Sequence, residues 1–150
     1  MSDSGATFLC IVTNSVGADT SVSALLRVNS LPNSGIDSDD FSSSVLNTTI
    51  WTFVNPLNDA TLAMTGSGTT NAYASISLPA GTAHDAWIGG NTTARLTQPA
   101  NNTDFEAEAK FESTIDTPYE MQGILVEQDA NNYIRFDFVM FPTGLKIFSV

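Results

Sequence analysis

Along almost the whole chain, apolar and polar residues are spaced as they are in strands. "DFEAEAKF" sets Phe105, Ala107, Ala109 and Phe111 in alternation with Glu106, Glu108 and Lys110, the period of two that gives a strand one apolar and one wet face. "YIRFDFVMF" puts Ile134, Phe136 and Phe138 on one side and Tyr133, Arg135 and Asp137 on the other. "MQGILVEQ" is a more continuous apolar run, expected as a central strand, and "DANN", Asp129 to Asn132, follows it as a tight turn. "TIWTFV", "TLAMTG", "AYASISL" and "GLKIFSV" are further short strand segments bounded by Asn, Gly, Pro or Asp. No stretch of ten or more residues carries the helical period, so the predicted class is all-β.

The amino-terminal part is set off from the rest. "TFLCIVT" and "TSVSALLRV", separated by the turn-prone "NSVGAD", predict a hairpin. After it, "NSLPNSGIDSDD" gathers Ser, Asn, Gly, Pro and Asp with only Leu31 and Ile36 apolar, which is linker composition. The expected organisation is therefore a first segment over 1–28, a linker over 29–37 and a second domain over 38–150.

Composition narrows the function classes. The 150 residues are 42% hydrophobic and 14% charged, the balance of a packed chain rather than a disordered one. Sixteen acidic against five basic residues give a net charge of −11, a field that repels phosphate backbones and anionic membrane surfaces. Nucleic acid is excluded as the expected partner. No apolar run approaches the roughly 20 residues that span a bilayer, so membrane insertion is not expected. "MSDSG" has neither the basic nor the apolar region of a signal peptide. Few Lys and many Asn, Ser and Thr suit an extracellular setting.

Two resemblances sharpen the all-β expectation. Asp3, Gly5, Ala6, Phe8, Cys10, Val12, Asn14, Gly17, Ala24, Leu26 and Val28 follow a pattern that resembles the last two strands of bacterial immunoglobulin-like domains. Phe8 stands where those domains have the tyrosine of the tyrosine corner. The resemblance implies that Cys10, the only cysteine, has its partner on a strand before residue 1, or else is a buried free thiol.

From Ser38 onward, "DDFSSSVLNTTIWTF", "AGTAHDAWIGGNTTARLTQP" and above all "TDFEAEAKF" followed by "QGILVEQDANNYIRFDF" resemble concanavalin A-like, laminin-G-like sandwiches. Within these the likeness is to the carboxy-terminal domain of β-xylosidases. The implied fold is an antiparallel jelly-roll β-sandwich, expected to be incomplete at its carboxy end and preceded by a hairpin remnant of an immunoglobulin-like sandwich. The implied function is a non-catalytic carbohydrate-binding or glycosidase-associated module of a larger extracellular protein. Its partners would be a polysaccharide or glycan and other domains of the parent chain.

Several residues are candidates for chemistry. An exposed indole at Trp87 would offer a flat apolar face to a sugar ring. Arg95, Gln98, Gln122, Glu127, Tyr133, Arg135 and Asp137 supply the planar amides, carboxylates and guanidinium groups that hold sugar hydroxyls. The competing reading is a structural or adhesive module in which Arg135 pairs across strands with Glu106 or Glu108, at ~0.2 to 1 kcal/mol per pair.

Glu106 and Glu108 share a strand face, as a retaining glycoside hydrolase requires of its carboxylates, but Phe111 occupies the position where the related glucanase motif has its acid. His84 and Asp85 lack any G-x-S-x-G nucleophile. No catalytic residue is therefore expected. "DSDD" resembles the start of a calcium loop without its glycine and glutamate, leaving Asp39 and Asp40 as weak candidates for structural calcium; no other cofactor is implied. One histidine and one cysteine do not make a zinc site. Asn47, Asn91 and Asn101 begin glycosylation-like triplets, at a frequency that this Asn- and Thr-rich composition explains.

Overall fold

The computed structural model describes residues 6–26, 35–87 and 90–150. Asp3, Gly5, Val28 and the linker through residue 34 lie outside the described residues, as do Ile88 and Gly89 beside Trp87. The described residues are all-β, with eleven strands and no helix among them. The chain divides into two compact units, Met1–Ser34 with Asn102–Phe105, and Gly35–Asn101 with Glu106–Val150.

In the first unit, β1 (Thr7–Phe8) pairs with β4 (Ala24–Leu25) and β2 (Ile11–Thr13) with β3 (Ala18–Thr20), both antiparallel. The register slips by one residue between the two ladders. Asn14 builds the turn, its side-chain oxygen accepting from the amides of Val16 and Gly17. A two-stranded ribbon has no second layer, and Phe8, Leu9, Ile11 and Val12 are all exposed. Cys10 is an exposed free thiol, not a buried one, for the same reason.

In the second unit, β5 (Thr52–Val54) pairs with β8 (Arg95–Thr97), and β6 (Thr61–Thr65) with β7 (Tyr73–Ser77). Period-two patterning holds in the β6–β7 hairpin: Leu62 lies opposite Ile76 and Met64 opposite Ala74, all four half-buried. The hairpin's loop requires glycine at position 66, where φ is +71° and a Cβ would stand 2.5 Å from the Asn71 carbonyl oxygen.

The longest ladders form a meander of β9 (Met121–Asp129), β10 (Asn132–Phe141) and β11 (Gly144–Ser149), with β10 in the middle, so the continuous apolar run of β9, expected as a central strand, lies at the edge of its sheet among the described residues. Asp129 closes the β9–β10 turn by accepting from the amides of Asn131 and Asn132, and these bonds with the Asn132 side chain hold its carboxyl below the usual value. Before β9, Thr117–Glu120 makes a second turn, closed by the Glu120 amide donating to the Thr117 carbonyl. Pro118 at its second position and Tyr119 at its third, with φ +75°, match a type II turn. The Tyr119 amide donates to the Met140 carbonyl and the Met140 amide to that of Glu120, so two residues oppose one in a bulge that leads into β9.

Two features run against the usual rule. Alternation separates Ile134, Phe136 and Phe138 from Tyr133, Arg135 and Asp137 as the sequence reads, but it is the apolar set that is exposed, together with Leu145 and Ile147 across the sheet. The buried side carries Arg135, Asp137 and Val139 instead, because the loop bearing Ala86 and Trp87 covers that face. Alternation sorts residues into two faces; which face is covered depends on tertiary contacts that the strand's own pattern does not contain. The second is a correction: "DFEAEAKF", expected as a strand, belongs to none, and residues 104–111 are exposed throughout.

Candidate functional site

The loop carrying Trp87 is pinched at its base. The Thr92 amide and hydroxyl both donate to the Asp85 carbonyl, at 2.7 and 3.0 Å, and the Asp85 amide donates to the Thr92 hydroxyl at 2.8 Å. Asp85 Oδ1 accepts from the Trp87 amide at 2.8 Å, and the Tyr133 hydroxyl donates to the Ala86 carbonyl at 2.9 Å. His84, ahead of the loop, contacts Asp59 Oδ1 through Nε2 at 2.9 Å and the Thr82 carbonyl through Nδ1 at 3.1 Å. The one histidine is thus engaged with Asp59 and is not paired with its neighbour Asp85. No signal in the sequence singles out Asp59 as its partner.

These contacts hold the indole over the covered face of β10 and β11. The Arg135 guanidinium lies 4.8 Å from the Trp87 ring centroid and 5.7 Å from that of Phe148, and the Trp87 and Phe148 rings are 4.9 Å apart. Arg135 is 1% exposed, whereas Trp87 remains 51% exposed. A cation against an aromatic face in a desolvated setting contributes about 2 kcal/mol. The indole is therefore fixed from within while much of its surface stays open to solvent.

Arg135 is held further by Asp137, whose Oδ2 lies 3.3 Å from Nε, and by Met121, whose sulfur lies 3.2 Å from Nη1. Burial pushes the Asp137 carboxyl above its usual value, and the charge of Arg135 offsets part of that rise. Gly123 on β9 makes room for this pair. A Cβ there would overlap the Phe136 carbonyl oxygen and stand 2.7 Å from Asp137 Oδ1.

The other candidates fall elsewhere. Arg95 forms a two-bond pair with Glu127, Nε to Oε2 at 3.0 Å and Nη2 to Oε1 at 2.8 Å, and Glu127 sits opposite Tyr133. This pair lies on the same sheet face as Arg135. Gln98 clasps the backbone of Asp37, accepting from its amide at 2.7 Å and donating to its carbonyl at 3.0 Å. Gln122 is on the opposite face of the sheet, across from Phe138, and donates to the Ser113 carbonyl at 3.0 Å. Arg135 makes its ion pair with Asp137, within its own strand, and not with Glu106 or Glu108 as the competing structural reading had it.

Asp39 and Asp40 are engaged locally. Asp39 accepts from the Phe41 amide and the Trp51 indole N–H, and Asp40 from the Ser42 amide, which with the Ser42 hydroxyl keeps its carboxyl below the usual value. No group of three or more His, Cys, Asp or Glu residues gathers among the described residues. Asn91 is buried, with its Oδ1 accepting from Thr93 and Arg95.

The aromatic side chains that continue the site were not singled out by the sequence. Phe148 stacks on Trp87, Phe141 lies 6.4 Å from Phe148, and Tyr119 lies 6.4 Å from Phe141 in an edge-on arrangement. Phe141 and Phe148 were visible only as members of alternating runs. Tyr119 sits in a turn where glycine is the residue the geometry favours. No family model, curated protein or solved structure matches the chain.

Proposed function

We propose that the chain is a non-catalytic carbohydrate-binding or glycosidase-associated module of a larger extracellular protein, built on a concanavalin A-like jelly roll and preceded by the edge of an immunoglobulin-like domain. The observation that carries this reading is Trp87, an indole locked over Arg135 and Phe148 yet 51% exposed. A rigid aromatic surface loses little entropy on binding, which is what stacking on the apolar side of a sugar needs. The Arg95–Glu127 pair, on the same sheet face, is largely buried and satisfied within itself, so it ties β8 to β9 and leaves the contact with sugar to the indole. Holding a glycan near a catalytic or surface domain would raise its effective concentration there.

Glycan-array binding by the wild type and by Trp87→Ala tests the reading, with circular dichroism as the check on folding. Binding lost in a folded Trp87→Ala supports it, and a wild type that binds no glycan sinks it.

A structural or adhesive module is the second reading. The exposed apolar face of Ile134, Phe136, Phe138, Leu145 and Ile147 favours it, since contiguous apolar surface of this kind marks contact with other protein. Under that reading Trp87→Ala leaves function intact and Phe136→Lys removes it. A hydrolase is not proposed: Glu106 and Glu108 lie in an exposed stretch that belongs to no strand.

A further inference from the structure

We propose that Tyr119 is a second stacking platform and that the ligand is an extended neutral glycan chain reaching from Trp87 to Tyr119. The inference rests on the reading of Trp87 as a sugar platform and adds to it the length and charge of the ligand.

Tyr119 adopts a φ of +75°, a conformation that costs a residue with a Cβ about 1–2 kcal/mol. Burial does not offset that cost, because the side chain is 66% exposed and its ring contact is the edge of Phe141. Glycine would fit the turn without strain, and the turn has its own supports. Glu120 accepts from the amides of Asp116 and Thr117, and Pro118 presets the second position. An exposed aromatic ring kept in a strained position that the fold does not need points to a use outside the fold.

Tyr119 and Trp87 are also the two ends of one series of rings. From Trp87 the centroids step 4.9 Å to Phe148, 6.4 Å to Phe141 and 6.4 Å to Tyr119. The two inner rings are half-buried and the two outer ones are exposed. Two rings intervene between Trp87 and Tyr119 in that series, and one sugar ring stacks on one platform, so engaging both takes a chain of several sugars. Two platforms engaged by one chain multiply affinity because the second contact is intramolecular. The net charge of −11 disfavours uronate-bearing or sulfated chains, and stacking on aromatic faces needs no charge on the sugar, so the ligand is taken to be a neutral chain.

Affinity measured against size-graded gluco-, xylo- and manno-oligosaccharides, from disaccharide to hexasaccharide, tests the inference. Wild-type affinity is expected to climb with chain length for at least one series. Tyr119→Gly, which relieves the strained turn and should melt no lower than wild type, is expected to abolish the climb and to weaken hexasaccharide binding about tenfold. Tyr119→Phe should keep it, and Trp87→Ala should lose binding at every length. A climb unchanged in Tyr119→Gly would overturn the second platform while leaving the Trp87 reading in place. A wild type that binds none of the three series overturns both.

Discussion

Arg135 Nε lies 3.3 Å from Asp137 Oδ2, two residues along the same strand, with the side chains 1% and 8% exposed. Both charges are withdrawn from water, and each is the other's principal compensation. Removing one member of such a pair leaves a buried charge unopposed and costs about 3–5 kcal/mol, whereas replacing both with apolar groups is close to neutral or stabilising. Arg135→Leu should therefore be severely destabilised, and Arg135→Leu/Asp137→Leu should recover most of the loss. Urea denaturation of the two single variants and the double variant gives the coupling directly. Additive effects would mean that the pair does not act as a unit.

Asp137 also sets a pH dependence. Its folded carboxyl is raised above the usual value, by burial first and against the opposing pull of Arg135. In the window between the unfolded and folded values the native state binds more protons than the unfolded one, so stability falls as pH rises through that window. The stabilising contribution is complete below the unfolded value, and it is lost as pH climbs past the folded one. Wild type should consequently gain on Asp137→Asn as pH is lowered from about 7 to about 4. Denaturation of both proteins at the two pH values checks the sign, and a wild type that loses stability relative to Asp137→Asn on acidification contradicts it.

The strands of the meander were legible because their signals are local. Alternation in Tyr133–Phe141, the Asp and Asn turn before it and the continuous run in β9 all survive in the ladders. The covered face was not legible, because the usual rule puts Phe136 and Phe138 inside. The rule fails here because Arg135 brings its own counter-charge two residues away, and a loop more than forty residues earlier in the chain supplies an indole to cover it. Nothing in the spacing of "AHDAW" says which strand Trp87 will meet. Tyr119 was hidden for the opposite reason: a turn reading of "TPYE" expects a small residue at the third position, and the sequence has a large one.

Gly123 carries a different kind of constraint. It is set by space and not by φ, since a Cβ at this position would overlap the Phe136 carbonyl oxygen and crowd Cα and Oδ1 of Asp137. Two of those atoms belong to the backbone of β10 and cannot rotate away. Gly123→Ala should push β9 and β10 apart at the buried pair and lower stability by about 1–3 kcal/mol. Thermal melting reads the change. An unaltered melting temperature would mean that the ladder relaxes at no cost.

The outer edge of β9 faces no strand among the described residues, and an unpaired edge is a template for another strand. Residues 106–113 have the alternation that such an edge accepts, and the turn at Thr117–Glu120 links them to it. The Gln122 side chain, by donating to the Ser113 carbonyl, holds Ser113 next to Gln122. A strand closing on β9 from that contact would set Phe111 opposite Ile124 and Ala109 opposite Val126, on the apolar face that Ile124 and Val126 share with Phe136 and Ile134. A shift of one residue would turn Phe111 and Ala109 to the charged side, so the apolar pattern selects this register. In a Cys10→Ser background, Ala109→Cys/Val126→Cys should therefore form a disulfide under mild oxidation, while Lys110→Cys/Val126→Cys, with its sulfurs on opposite faces, should not. Equal cross-linking of the two pairs, or none in either, would show that residues 106–113 do not close on β9 in this register.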